Sequence, residues 1–429
     1  MRGSRCRSVA GAAPVLTALA LATAGPAAAQ TASTCFVVVD STGGVGRQID
    51  VGGGYVRWFQ GGGIWAHCRG QDTFWYSDSV AWFQDFDRFD MLGRVNFRDA
   101  TAELTADRAS YFLRDERLDA TGNARLRNRI TGSVLRGPNV QYYRRVLGIR
   151  DTTELRAGGR PTIEYRSEGD PPDAEPYLII ADRVSFRGNT AARGWGRVTI
   201  DRSDFHGAGD SAFLDTGQEV GRLMGRASVA GGEASGYRLV GQDIRYRLRA
   251  RALTWVQAEG EADATSGEWR VTSDTVQFDI MDDRVQGGAA WGSARRPVAV
   301  SARNTILADS LAITAPAQLL REVRGIGAAR AASRQDSLDT DEDWVAGDTV
   351  VARFAPGRDG GTTLAAIEAA GAARARYRVY ASADRSTTPD ISYSRGDRIR
   401  AQFRDDRLLR VDIAGKSDGV YLEAPRRQP

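Results

Sequence analysis

The chain has 429 residues, 42% of them hydrophobic, with 58 Lys+Arg against 54 Asp+Glu and a formal net charge of +4. Three of the arginines lie in the first seven residues and Lys416 is the only lysine, so no concentrated basic patch supports a nucleic-acid partner. The two histidines, His67 and His206, join no cluster of Cys, His or acidic residues at ligand spacing, which argues against a zinc centre.

The N-terminus carries Arg2, Arg5 and Arg7, an apolar stretch from Val9 to Ala22, and Ala27-Ala28-Ala29 before Gln30. That order predicts a secretory signal over residues 1–29, cleaved after Ala29, and hence export to the periplasm. An uncleaved membrane anchor is the rival reading. Pro14 and Pro26 interrupt the apolar run and favour cleavage. Cys6 falls in the signal, which leaves Cys35 and Cys68 as an even pair in an oxidising compartment. A disulfide between them is expected, with two buried thiols as the alternative.

From residue 74 onward one pattern returns about ten times, mostly every 28–35 residues. An anchor residue, usually aspartate, is followed by apolar side chains two and four positions later. The anchors are Asp78, Asp107, Pro138, Asp182, Asp210, Gln242, Asp274, Asp309, Asp348 and Asp397. The pairs they introduce are Val80/Trp82, Ala109/Tyr111, Val140/Tyr142, Val184/Phe186 and Ala212/Leu214. They continue as Ile244/Tyr246, Val276/Phe278, Leu311/Ile313, Val350/Ala352 and Ile399/Ala401. Period-two alternation predicts strands with one buried face.

A second strand in each unit is centred on glycine. Gly93 stands among Phe89, Met91, Val95 and Phe97, and Gly122 among Leu118, Ala120, Ala124 and Leu126. Gly260 and Gly371 repeat the arrangement. A glycine on the apolar face, unit after unit, predicts a continuous crease. Charged turns such as 85–88, 114–117, 281–284 and 404–407 predict antiparallel hairpins. Only Gln318 to Val323 has any helical character, and it reads equally as a turn into a strand.

These elements predict an all-β, elongated antiparallel repeat array over 30–332, an acidic linker at 333–346, and further repeats over 347–424. If each unit forms one rung at about 4.8 Å, ten rungs reach on the order of 50 Å. Irregular inserts are expected at 166–176, 333–343, 356–362 and 382–389. The recurring aspartates are expected to hydrogen-bond backbone at strand entrances, because a catalytic carboxylate pair is not repeated along an array. Gly52-Gly53-Gly54 and Gly61-Gly62-Gly63 lack the Lys-Ser/Thr and helix of a phosphate loop and read as strand bends. No catalytic residue, metal or cofactor is expected.

The segments Tyr76-Ser-Asp-Ser-Val-Ala-Trp-Phe, Leu92-Gly-Arg-Val-Asn-Phe, Leu104-Thr-Ala-Asp-Arg-Ala-Ser-Tyr and Ala120-Thr-Gly-Asn-Ala-Arg-Leu carry a family likeness. They resemble the OstA-like (LptA) proteins of lipopolysaccharide transport, best over 74–145 and more weakly to about residue 424. The resemblance implies a folded-over β-jellyroll, or β-taco, whose apolar interior carries acyl chains toward the outer membrane. It implies a groove lined by Val80, Trp82, Val95, Phe97, Ala109, Tyr111, Leu118 and Leu126, then Val140, Tyr142, Val184, Phe186, Ile244, Tyr246, Val276 and Phe278. Its partners would be lipopolysaccharide or a similar lipid, transport components at the inner and outer membranes, and end-to-end copies of the chain itself. A closed structural or adhesive β-solenoid is the alternative reading of the same residues, and a polysaccharide-modifying β-helix enzyme a third.

Overall fold

In the computed structural model the described residues are 35–171, 173–233, 235–334, 341–357, 362–380, 388–404 and 407–425. The expected signal, 1–29, lies outside them, as do 335–340, 358–361, 382–387 and 405–406 of the expected linker, inserts and last turn. Among the described residues the alternating segments form 28 strands of one antiparallel sheet, with two 3-10 turns and no α-helix. The ambiguous stretch after residue 315 resolves into the turn Pro316–Gln318 followed by the strand Glu322–Ser333.

The strands are long. Phe74–Phe83, Arg88–Arg98, Ala102–Phe112 and Arg117–Asn128 have 10 to 12 residues, and Thr362–Val379 has 18, against about 5–6 for an ordinary strand. They are long because each crosses a sheet that is bent halfway. At the bend the pairing register slips by one residue, between Leu92 and Val95 and between Thr121 and Ala124, for example. Gly93 (φ 73) and Arg94 (φ 44) are both left-handed there, and so are Gly122 and Asn123. Such a pair turns a strand sharply without leaving the ladder, and the first position strongly favours a residue with no Cβ. The crease expected from the mid-strand glycines is present.

The bend divides the sheet into two leaves. The first contains Val95 to Arg98 and Ala102 to Thr105; the second contains Ser79 to Phe83, Arg88 to Leu92 and Arg108 to Phe112. Sixteen strands cross both leaves, and the other twelve pair into six split rungs, such as Glu154–Gly158 with Thr162–Tyr165. Each leaf is therefore twenty-two rungs deep among the described residues, on the order of 100 Å at about 4.8 Å per rung. This corrects the shorter stack expected from the sequence: a unit of about 30 residues supplies two rungs, because each strand serves both leaves.

Ser333 lies opposite Asp343 where Glu322–Ser333 pairs with Asp343–Pro356, so the sheet continues past the expected linker, and residues 343–346 are strand. The charged hairpins are tight: Asp282 (φ 52) and Asp283 (φ 55) take the two left-handed positions of a type I′ turn. Before the first full rungs, Cys35 and Cys68 are joined by a disulfide.

Candidate functional site: the interior between the leaves

Inward side chains of the two leaves meet face to face. Phe97 of the first leaf lies with its ring 6.3 Å from Tyr111 and 5.9 Å from Tyr142 of the second. Further along, Phe205 meets Tyr246 at 5.3 Å and Trp269 meets Phe354 at 5.4 Å. The result is one apolar cluster running from Cys35 to Ile399. Of the sixteen predicted lining residues, fourteen are buried; Trp82 and Phe186 are half-buried, Trp82 stacked on Phe89 and Phe186 on Tyr165.

Sequence reasoning missed much of the first leaf. Ala102/Leu104, Tyr237/Leu239 and Trp269/Val271 are buried there, five and three residues before anchors 107, 242 and 274. In the anchor strands the one-residue slip at the crease reverses the inward parity, so a scan at plus two and plus four sees mainly one leaf. Apolar residues at minus three and minus five are the signal that finds the other.

The anchor aspartates require a correction. Asp182 and Asp309 do stand at strand entrances, just before Arg183–Arg187 and Ser310–Thr314, whereas Asp78, Asp107, Asp210, Asp274, Asp348 and Asp397 stand at mid-strand, all of them on the crease. Asp78 receives hydrogen bonds from Arg94, Asp182 from Arg160 and Arg197, and Asp210 from Arg226. The carboxyl groups of Asp78 and Asp182 are held below the usual carboxylate range, chiefly by hydrogen bonds from Arg94 and Arg197 respectively. Asp274 differs in accepting backbone N–H groups, from Ala294 and Arg295. Where the strand runs unbroken through the crease, at twice the ordinary length, the middle of an element lies where the sequence pattern suggested its start.

Opposite the crease the leaf edges meet along a seam, and there the contacts are made by side chains. Tyr142 donates to Asp99 Oδ2 (2.9 Å), Tyr165 to the carbonyl of Asn189 (3.0 Å), Tyr177 to that of Arg251 (3.0 Å) and Tyr237 to Asp283 Oδ1 (3.3 Å). Asn128 donates to Asn189 Oδ1 (2.9 Å) and Thr362 to Glu268 (2.9 Å). Burial pushes the phenols of Tyr111, Tyr142 and Tyr237 well up, and that of Tyr177 up to about 12. Among the described residues every strand pairing stays within a leaf, so no backbone ladder closes the seam.

At the N-terminal end the seam is reinforced by a buried ion pair. Arg144 donates to Glu116 Oε2 (2.8 Å), Thr73 (2.6 Å) and Gln71 (2.8 Å), and Glu116 Oε1 also accepts the Cys35 N–H (2.6 Å). Tyr111 hydrogen-bonds the same carboxylate. One interior cavity, of about 60 Å³, opens at the seam between Tyr142 and Tyr165. Another, of about 30 Å³, lies at the N-terminal end between Val37, Trp58, Trp75 and Met91.

His67 Nδ1 lies 2.7 Å from Asp40, and His206, in the strand Phe205–Asp215, has Asp201 at 3.2 Å. Among the described residues no three His, Cys, Asp or Glu side chains converge as a metal site. No protein-family model matches the chain, and no curated protein matches it.

Proposed function

We propose that this chain is a periplasmic lipid carrier, a folded-over β-taco whose two leaves shelter acyl chains on the way to the outer membrane. One observation carries the reading: a continuous apolar interior is closed on one side only by side chains, so the seam can part without breaking the sheet's ladders. A chain entering the slot would exchange leaf-to-leaf contacts for contacts with hydrocarbon, at roughly 0.8 kcal/mol per buried methylene. The likeness of residues 74–145 to the OstA-like proteins supplies the cargo class, lipopolysaccharide or a similar lipid. It also supplies the partners, transport components at the two membranes.

Photo-crosslinking tests this reading. Crosslinkers at Trp82, Tyr111 and Phe278 should capture lipopolysaccharide, while the same groups at the outward positions Arg108 and Arg183 should not. Equal labelling of both faces overturns the proposal. A second reading, a closed structural or adhesive solenoid, is favoured by the burial of fourteen lining residues against one another. It predicts no labelling at any inward position and no uptake of a fluorescent acyl probe.

A further inference from the structure

The larger cavity differs chemically from the rest of the surface. In a chain with 26% charged residues, none of its lining side chains is charged. Its floor draws on both leaves: Leu126, Leu135 and Ile163 from the first, Leu155 and Phe186 from the second. Its mouth, at the seam, is ringed by Thr101, Asn128, Thr131, Ser133, Thr153 and Asn189. A volume of about 60 Å³ exceeds several-fold the ~10–15 Å³ that admits one water.

The mouth is spanned by neutral bridges: the amide of Asn128 donates to that of Asn189 at 2.9 Å, and Tyr165 donates to the Asn189 carbonyl at 3.0 Å. Carboxylates flank it. Glu168 accepts from Asn189 Nδ2 at 3.2 Å, and Asp99 accepts from Tyr142, whose hydroxyl is also 2.6 Å from Thr101. Arg129 and Arg166, in the neighbouring turns, are directed onto the carbonyls of Asp99 and Ala174. Hydroxyls and amides with two acids behind them suit a neutral hydrogen-bonding group and repel an anionic one.

We propose that this cavity is a lateral port that admits one acyl chain bearing an uncharged hydroxyl- or amide-containing head, the chain passing between the leaves and the head remaining on the Thr/Ser/Asn ring. This rests on the reading of the interior as a lipid slot and adds to it a separate entry for a neutral lipid, distinct from the route of anionic lipopolysaccharide.

The test uses the whole mature chain and two probes with the same fluorophore-tipped acyl chain, a monoacylglycerol and a lysophosphatidic acid. The expected result is at least tenfold tighter binding of the neutral probe. Thr153→Trp, which plugs the half-buried mouth, and Ala102→Leu, which fills the floor, should each weaken it at least tenfold. Should Ala102→Leu fail to fold, Thr153→Trp at the rim decides. Equal affinity for the two probes, or wild-type affinity in a folded Thr153→Trp chain, overturns the port. If a crosslinker at Phe278 still captures lipid in that variant, the slot stands and only the port has failed; absence of any binding removes both.

Discussion

A Cβ atom placed on Gly93 would lie 2.5 Å from Oδ2 of Asp78 and 3.0 Å from its Cβ. The same relation joins Gly122 to Asp107 and Gly225 to Asp210, each at 2.6 Å. The anchor of one strand and the glycine of the next, which the sequence presents as two separate repeated features, are thus the two halves of one joint. The side chain of the aspartate fills the space that the glycine leaves, and its carboxylate then holds the following arginine, as Arg94 donates to Asp78 at 2.8 Å.

Gly122→Ala should therefore destabilise the chain by on the order of 2 kcal/mol, combining the left-handed backbone cost with the contact against Asp107. Thermal melts measure the loss. In a double-mutant cycle with Asp107→Gly the two changes should be less than additive, since removing the aspartate side chain relieves part of the clash. Strict additivity would show that the two residues are not one joint.

Glu116 is fully buried and holds Arg144, Tyr111 and the Cys35 N–H together. Glu116→Gln removes the nearer of the two counter-charges of a buried guanidinium and leaves it only Asp99, at 3.5 Å; a loss of up to about 3–5 kcal/mol is expected in denaturant unfolding. Replacing both partners, Glu116→Leu with Arg144→Met, should cost less than the single change, because the buried guanidinium is gone and Asp99, its other partner, keeps the hydrogen bonds from Tyr142 and the Ala102 N–H.

Tyr177 ties the stability of the seam to alkaline pH. Its phenol is raised to about 12 by burial, above the ordinary value of about 10. A raised folded value means that its contribution is fully present below pH ~10 and is lost as pH climbs to ~12, by at most about 2–3 kcal/mol. Melts across that window should show the decline in the native chain and a shallower one in Tyr177→Phe. Phenolate absorbance identifies the titrating group.

The acid side has the opposite sign. Asp78 and Asp182 are depressed by their arginine partners, so the stability they add is present above about pH 4 and is lost as pH falls through their folded values. Both are solvent-exposed, and the effect should be small and erased by molar salt. Asp283, pushed up by burial, runs the other way and offsets part of it. Melts between pH 7 and pH 3 at low and high salt check both statements; an acid transition indifferent to salt would assign it to buried groups instead.

Much of this architecture was legible in residue order. Strict alternation at Val80/Trp82 or Ile244/Tyr246 marks strands with one buried face, the recurring glycines mark a crease, and the short charged turns mark antiparallel neighbours. These are local properties: each follows from side-chain direction or backbone freedom over a few residues. The sixteen lining positions followed from the same alternation and from the family likeness, and fourteen are buried.

What the order of residues left undecided depends on contacts between units far apart in the chain. That Asp78 lies against Gly93 requires the crease of one strand to stack on that of the next, and that Phe97 meets Tyr142 requires the leaves to face each other. The register slip hid the first-leaf residues of the anchor strands, such as Leu104 and Leu239, since inward parity reverses across the crease there, whereas the glycine strands, with Met91 and Val95 both inward, keep it. The seam, with Tyr177 reaching Arg251 and Asn128 reaching Asn189, joins residues 74 and 61 positions apart, a closure that no local pattern encodes. Sequence alone thus determined the strands, the turns and the crease, through local sterics and periodicity; tertiary packing alone decided that the two leaves close on one apolar interior and that side chains, not backbone, hold its open edge.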